Sequence, residues 1–150
     1  GADVCMVTCT SVNQAAAYAR RFAHIPVFNL DEPVARAAVA MGGRIGVLGT
    51  LPTSPGAIVR LVDEESARQG KKLQCVTAVA AGAFDVLCAG DRKKHDEMVE
   101  EALHKLAKEV DVIAFSQISM SLVAHGDCGV PVLKIGTSGF DEAKKLLFPG

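Results

Sequence analysis

Short apolar runs that end in small polar turns alternate along this chain with longer stretches in which apolar residues recur at helical spacing. The first run, Asp3-Val4-Cys5-Met6-Val7-Thr8-Cys9-Thr10-Ser11, reads as a strand that delivers Cys9 to the mouth of a turn. An alanine-rich segment, 12–23, predicts a helix stopped at His24-Ile25-Pro26, and a short strand follows over 26–29. Asp31 is placed to cap a helix with Pro33 in its first turn, which runs to Met41 and closes at Gly42-Gly43. Arg44 to Gly49 has the glycine-flanked apolar look of a strand buried on both faces. Beyond it, Ser54 as cap and Pro55 at the first position predict a helix to about Gln69.

The second half repeats the pattern. A strand is expected over 73–80 and a short helix or turn over 82–89. A long helix is expected over 92–109, where Met98, Val99, Ala102, Leu103, Leu106 and Val110 share one face. Asp111 to Phe115 predicts another buried strand, 119–125 a short helix, and 130–135 a last strand. Gly136-Thr137-Ser138-Gly139 then leads into a terminal helix ending before Pro149. Strand and helix alternate throughout, which predicts an α/β doubly wound fold with parallel strands covered on both faces. Ligands of such folds bind outside the carboxyl ends of the strands.

Composition narrows the partners. Hydrophobic residues make up 49% and charged residues 22% of the 150 positions, enough apolar material for a core. A net charge of −1 provides no basic field for nucleic acid. No apolar run approaches the about 20 residues that cross a bilayer, so no membrane partner is expected, and the opening residues lead to no expectation of a signal peptide. Five cysteines, odd in number and mostly in apolar runs, argue against a disulfide framework and for a cytoplasmic setting. Cys5, Cys75 and Cys88 are expected in the core. His125 and Cys128 lack a second close pair, so no metal site is expected, and the full glycine fingerprint of a dinucleotide site is missing.

Chemistry concentrates at three strand ends: Cys9-Thr10-Ser11, Gly49-Thr50 with Thr53-Ser54, and Ser116-Gln117-Ile118-Ser119. Together they bring one nucleophile or base, several hydroxyls and one amide, with no arginine or lysine among them. Thr10 and Ser11 suit a helix cap beside the sulfur, where free backbone N–H groups favour negative charge. Such a set suits a small carboxylate held by neutral donors, with a thiolate as base toward the adjacent carbon. Gln117 reads equally as a turn cap or as a neutral donor to substrate.

At these residues the chain resembles the aspartate/glutamate/hydantoin racemase superfamily, which includes arylmalonate decarboxylase and maleate isomerase. The likeness spans essentially the whole chain. It rests on the Asp3 to Ser11 run, Pro26-Val27 with Asp31-Glu32-Pro33, Arg44 to Thr50 with Thr53, Gly90-Asp91 with His95-Asp96, and Asp111-Val112-Ile113 through Ser119-Met120. The resemblance implies two Rossmann- or flavodoxin-like lobes, no cofactor, and a cleft to which each lobe contributes one cysteine. It places Cys9 at the first-lobe cysteine, Thr10 and Ser11 at carboxylate-holding positions, and Thr50 and Thr53 in the loop opening the second lobe.

Where the family has its second cysteine, this chain has Gln117, followed by Ile118, and both are expected to face substrate. Gln117 is no base, which marks a subgroup and leaves a one-base isomerase or lyase, a racemase with a different second acid, or a member without activity. The family is also longer at the front, which leaves 1–42 plus 136–150 as the remainder of a first lobe and 43–135 as a complete second one. A fragment, or a chain completed by forming a homo-oligomer, would both fit. The implied activity is a cofactor-independent racemase or isomerase acting on a small carboxylate, either an acidic amino acid or a hydantoin. The alternatives are a silent carboxylate-binding member and a one-cysteine lyase or isomerase. His95 is expected in a structural or orienting role, and His24 and His104 at the surface.

Overall fold

Arg44–Gly49 forms β3, the strand around which the larger of two parallel sheets is built. On one side it pairs with β4 (Gln74–Val79), and on the other with β5 (Val112–Phe115), which pairs in turn with β6 (Val132–Leu133). The order is β4-β3-β5-β6, all parallel. A separate two-stranded parallel sheet joins β1 (Cys5–Val7) to β2 (Val27–Asn29). The computed structural model describes residues 1–148. The side chain of Ser11 and the expected stop at Pro149 lie outside the described residues.

Alternation along the central strands decides what each face buries. Ile45, Val47, Val112 and Ala114 point to one side and meet α2 (Glu32–Met41), α3 (Ser54–Arg68) and α6 (Ile135–Leu147). Leu48, Ile113 and Phe115 point to the other, against α4 (Ala83–Cys88) and α5 (Arg92–Leu106). Gly46 lies on this second face because α5 comes close, and a Cβ there would stand 2.9 Å from Leu106 Cδ2. Among the described residues no helix is long and apolar enough to cross a membrane.

The expected strands and most helices are present with shifted ends, and the shifts have local causes. α1 covers only Asn13–Ala19 and is entered through a 3₁₀ turn at Thr10–Val12. Arg20, just past its end, turns away to donate to Val27 O and, bidentately, to Glu32 at 2.5 and 2.6 Å. In place of the helix expected over 119–125 there is a 3₁₀ turn, Ile118–Leu122. The glycines at 136 and 139 belong to α6 itself. A Cβ on Gly136 would sit 2.8 Å from Ser121 Oγ, and one on Gly139 would sit 2.0 Å from Leu30 Cδ1, so close packing selects them. The terminal helix therefore begins at Ile135 and the last strand is two residues long.

Two core expectations need correction: Cys5 and Cys88 are exposed, whereas Cys75 is partly buried and packs against the core. β1 is an edge strand, so period-2 alternation turns Met6 into the core and Cys5 outward.

Candidate active site

The chain leaves β3 toward β4 on one side, and β5 returns on the other, so β3 and β5 are the two strands between which connections diverge. A crevice opens at their carboxyl ends in any sheet wound this way. Gly49-Thr50 ends β3, and Ser116-Gln117 follows β5. Gly49 permits the convergence, since a Cβ there would lie 2.3 Å from Ser54 Oγ and 2.7 Å from Ser116 Oγ.

Gln117 is held by this convergence. Its Oε1 lies 2.7 Å from Thr50 N, 3.0 Å from Thr50 Oγ1 and 3.0 Å from Ser54 Oγ. A backbone N–H only donates, so the atom facing Thr50 N is the carbonyl oxygen and the amide orientation is determined. The Nε2 end has no acceptor among the described residues and is the group that can donate into the cleft. Ser54 Oγ also lies 2.9 Å from Ser116 Oγ and 3.0 Å from Leu51 O, so its hydroxyl ties the two strand ends together and does not cap α3.

From the two-stranded sheet, β1 brings Cys9 to the same place. Cys9 is exposed, in extended backbone at φ −111 and ψ 119, immediately before the 3₁₀ turn. The expected cap at Thr10 is not made. Its Oγ1 lies 3.3 Å from Asp31 Oδ1 and 3.4 Å from Ser116 O, either of which can accept its one proton, so Thr10 links the first sheet's turn to the second sheet's strand end. Asp31 likewise makes no side-chain cap on α2, and its N–H donates to Asn29 Oδ1 at 2.9 Å. Buried at 1% exposure, its carboxyl is pushed up from 3.8 to about 6. Burial is the largest cause, and the neighbouring Glu32 charge adds to it. Thr10 and the Asn13 amide, which lies near without full hydrogen-bond geometry, act in the other direction.

The result is a cleft of about 580 Å³ lined by Cys9, Thr10, Thr53, Ser54, Gln117, Ile118 and Ser119, among others. Five of the expected site residues thus share one surface: Cys9, Thr10, Thr53, Gln117 and Ile118. Thr50 is brought to the site but stands behind it, only 3% exposed, with both of its donors directed at Gln117. Five lining residues lie outside the three strand-end stretches and their immediate neighbours and were not expected: Asn13, Gln14, Gly56, Ala57 and Arg60. The strand-end turns carry no cation, yet the cleft has one, because Gly56, Ala57 and Arg60 share a face of α3 and that face overlooks the cleft. His95, by contrast, is fully buried with Nδ1 2.7 Å from Asp96 Oδ1, and it does not line the cleft.

The family profile described as Asp/Glu/hydantoin racemase matches residues 1–143. No curated protein sequence matches the chain. Among solved structures, a glutamate racemase from Bacillus anthracis is similar at a TM-score of 0.69 and 21% identity, covering 99% of this chain and 59% of that protein. An allantoin racemase from Klebsiella pneumoniae follows at 0.67 and 19%, covering 98% and 60%. The aspartate racemase of Picrophilus torridus gives 0.65 and 17%, covering 98% and 62%. The chain therefore spans about three-fifths of the length of these proteins, and at such identities the likeness speaks for the fold.

Proposed function

Given that this chain belongs to the Asp/Glu/hydantoin racemase family, we propose that it is a cofactor-independent, racemase- or isomerase-like enzyme that uses Cys9 to remove the α-proton of a small carboxylate. The observation that carries this reading is the placement of the Cys9 thiol and the oriented Gln117 amide on one cleft at the carboxyl ends of the strands. A thiolate takes the proton from one face of Cα, and the charge moves onto the substrate carboxylate. Neutral donors around it, among them Gln117 Nε2 and the Thr53 hydroxyl, then stabilise the enediolate. Thr10 holds the Cys9 turn against the second sheet.

The Gln117 amide can donate a hydrogen bond but neither gains nor gives up a proton at neutral pH, so protonation from the opposite face has no protein acid at that position. Cys9 is then both base and acid on its own face. The slower inversion takes its proton from solvent water on the opposite face, with Cys9 keeping the proton it removed until it passes to solvent. The experiment is deuterium uptake at Cα, followed by proton NMR in D₂O over acidic amino acids and hydantoins. Uptake by the wild-type chain, with a loss of at least a hundredfold in Cys9→Ser, is the expected result. Undiminished uptake in Cys9→Ser overturns the assignment. The second reading, a carboxylate-binding protein without turnover, is favoured by the wholly structural use of Gln117 Oε1. It predicts saturable binding with no uptake at all.

A further inference from the structure

Arg60 is the one charged side chain among the lining residues of the Cys9 cleft, and no carboxylate lines that cleft with it. Its Nη2 donates to Asn13 Oδ1, a neutral acceptor that adds no countercharge. Its Nε is buried and has no hydrogen-bond partner among the described residues. The nearest acid, Glu64 Oε1, stands 3.7 Å from Nε and is 58% exposed, a surface pair of small worth. The adjoining hollow, on the other side of Arg60, is different. Its Arg20, Arg36 and Arg68 are each paired with a glutamate at 2.5 to 2.8 Å.

The position of Arg60 along α3 gives this charge a use. Gly56 borders the cleft near the start of the helix, and a Cβ there would meet nothing within 4 Å. Arg60 follows four residues later on the same face, about 6 Å further along the axis. The cleft therefore has two stations for anionic groups: the neutral donors at the strand ends beside Cys9, and a guanidinium one helical turn away. A substrate with carboxylates at both ends of a short carbon chain fills both. A neutral cyclic ureide would face Arg60 with an amide and leave a partly desolvated charge without a partner.

We propose that Arg60 is the specificity-determining residue of this cleft, selecting acyclic dicarboxylates over neutral ureides and monocarboxylates; the proposal rests on the reading of Cys9 as base in the same cleft. Binding of glutarate and of valerate, measured by NMR titration at low salt, tests it without turnover. The wild-type chain should bind glutarate at least tenfold more tightly, and Arg60→Met should erase the difference. Arg60→Lys, which keeps the charge but not the fork, should retain part of it and guards against a misfolded methionine variant. Added salt should narrow the gap.

Equal affinity of the wild-type chain for the two acids overturns the proposal, as does a preference that survives in Arg60→Met. Cα deuterium uptake recorded on the same sample separates the two readings. A dicarboxylate preference without uptake keeps the role of Arg60 and discards Cys9 as base. Uptake without the preference does the reverse.

Discussion

Gln117 shows how one side chain can be structural at one end and available at the other. Its Oε1 is the acceptor for the Thr50 N–H, which the fold buries at the end of β3. Gln117→Leu should therefore lower stability by about 1–3 kcal/mol, read from urea midpoints, because that donor loses its acceptor. Gln117→Cys should carry a similar cost but supply a second thiol, and inversion of substrate configuration should then catch up with deuterium uptake. Inversion unchanged from wild type would place residue 117 away from the reacting carbon. Asp31 makes a prediction of opposite sign to the usual carboxylate. Its folded pKa of about 6 lies above 3.8, so the folded state holds the proton more tightly than the unfolded chain. Stability from this group is full below about pH 4 and is lost as pH rises through 6, an effect on the order of 3 kcal/mol. Melting temperatures of wild type and Asp31→Asn should diverge over that window, with the variant gaining relative to wild type as pH increases. Parallel curves would contradict the assignment.

Among the elements, α6 is positioned by what its glycines lack. A Cβ at Gly139 would meet Leu30 Cγ at 2.6 Å as well as Cδ1 at 2.0 Å, and Leu30 is fully buried in the core. Gly139→Ala should cost about 1–3 kcal/mol in chemical denaturation. An unchanged midpoint would show that α6 can move away from the turn after β2. This is also where the sequence misled, since Gly136-Thr137-Ser138-Gly139 has the composition of a loop and nothing local reveals that two glycines serve close packing. The central strands were legible because β3 and β5 are short apolar runs bounded by glycine and polar turns, a pattern with one reading. Three of the polar side chains expected to cap helices turned elsewhere. Thr10, Asp31 and Ser54 have the residue types of caps, but partners distant in the chain, such as Ser116, compete for them. Arg60 is not legible from the strand-end turns, because a helix that starts at a strand end carries its next turn over the same crevice.

At the scale of the whole molecule, two parallel sheets meet where Thr10 reaches from the first to Ser116 on the second. We propose that they correspond to two lobes, 1–42 with 136–150 and 43–135, with α2 and α6 at the border, where both also pack on the larger sheet. In that arrangement Cys9 approaches substrate from the first lobe, and Gln117 faces it across the cleft from the second. The measurement that bears most directly on this account follows a single enantiomer of an acidic amino acid in D₂O, with Cα deuteration read by NMR and configuration by chiral chromatography from one sample. One thiol working from one face predicts that deuteration outruns inversion by at least tenfold. Deuteration and inversion advancing in step would mean that a second acid acts from the opposite face, and would contradict the central claim that Cys9 works alone.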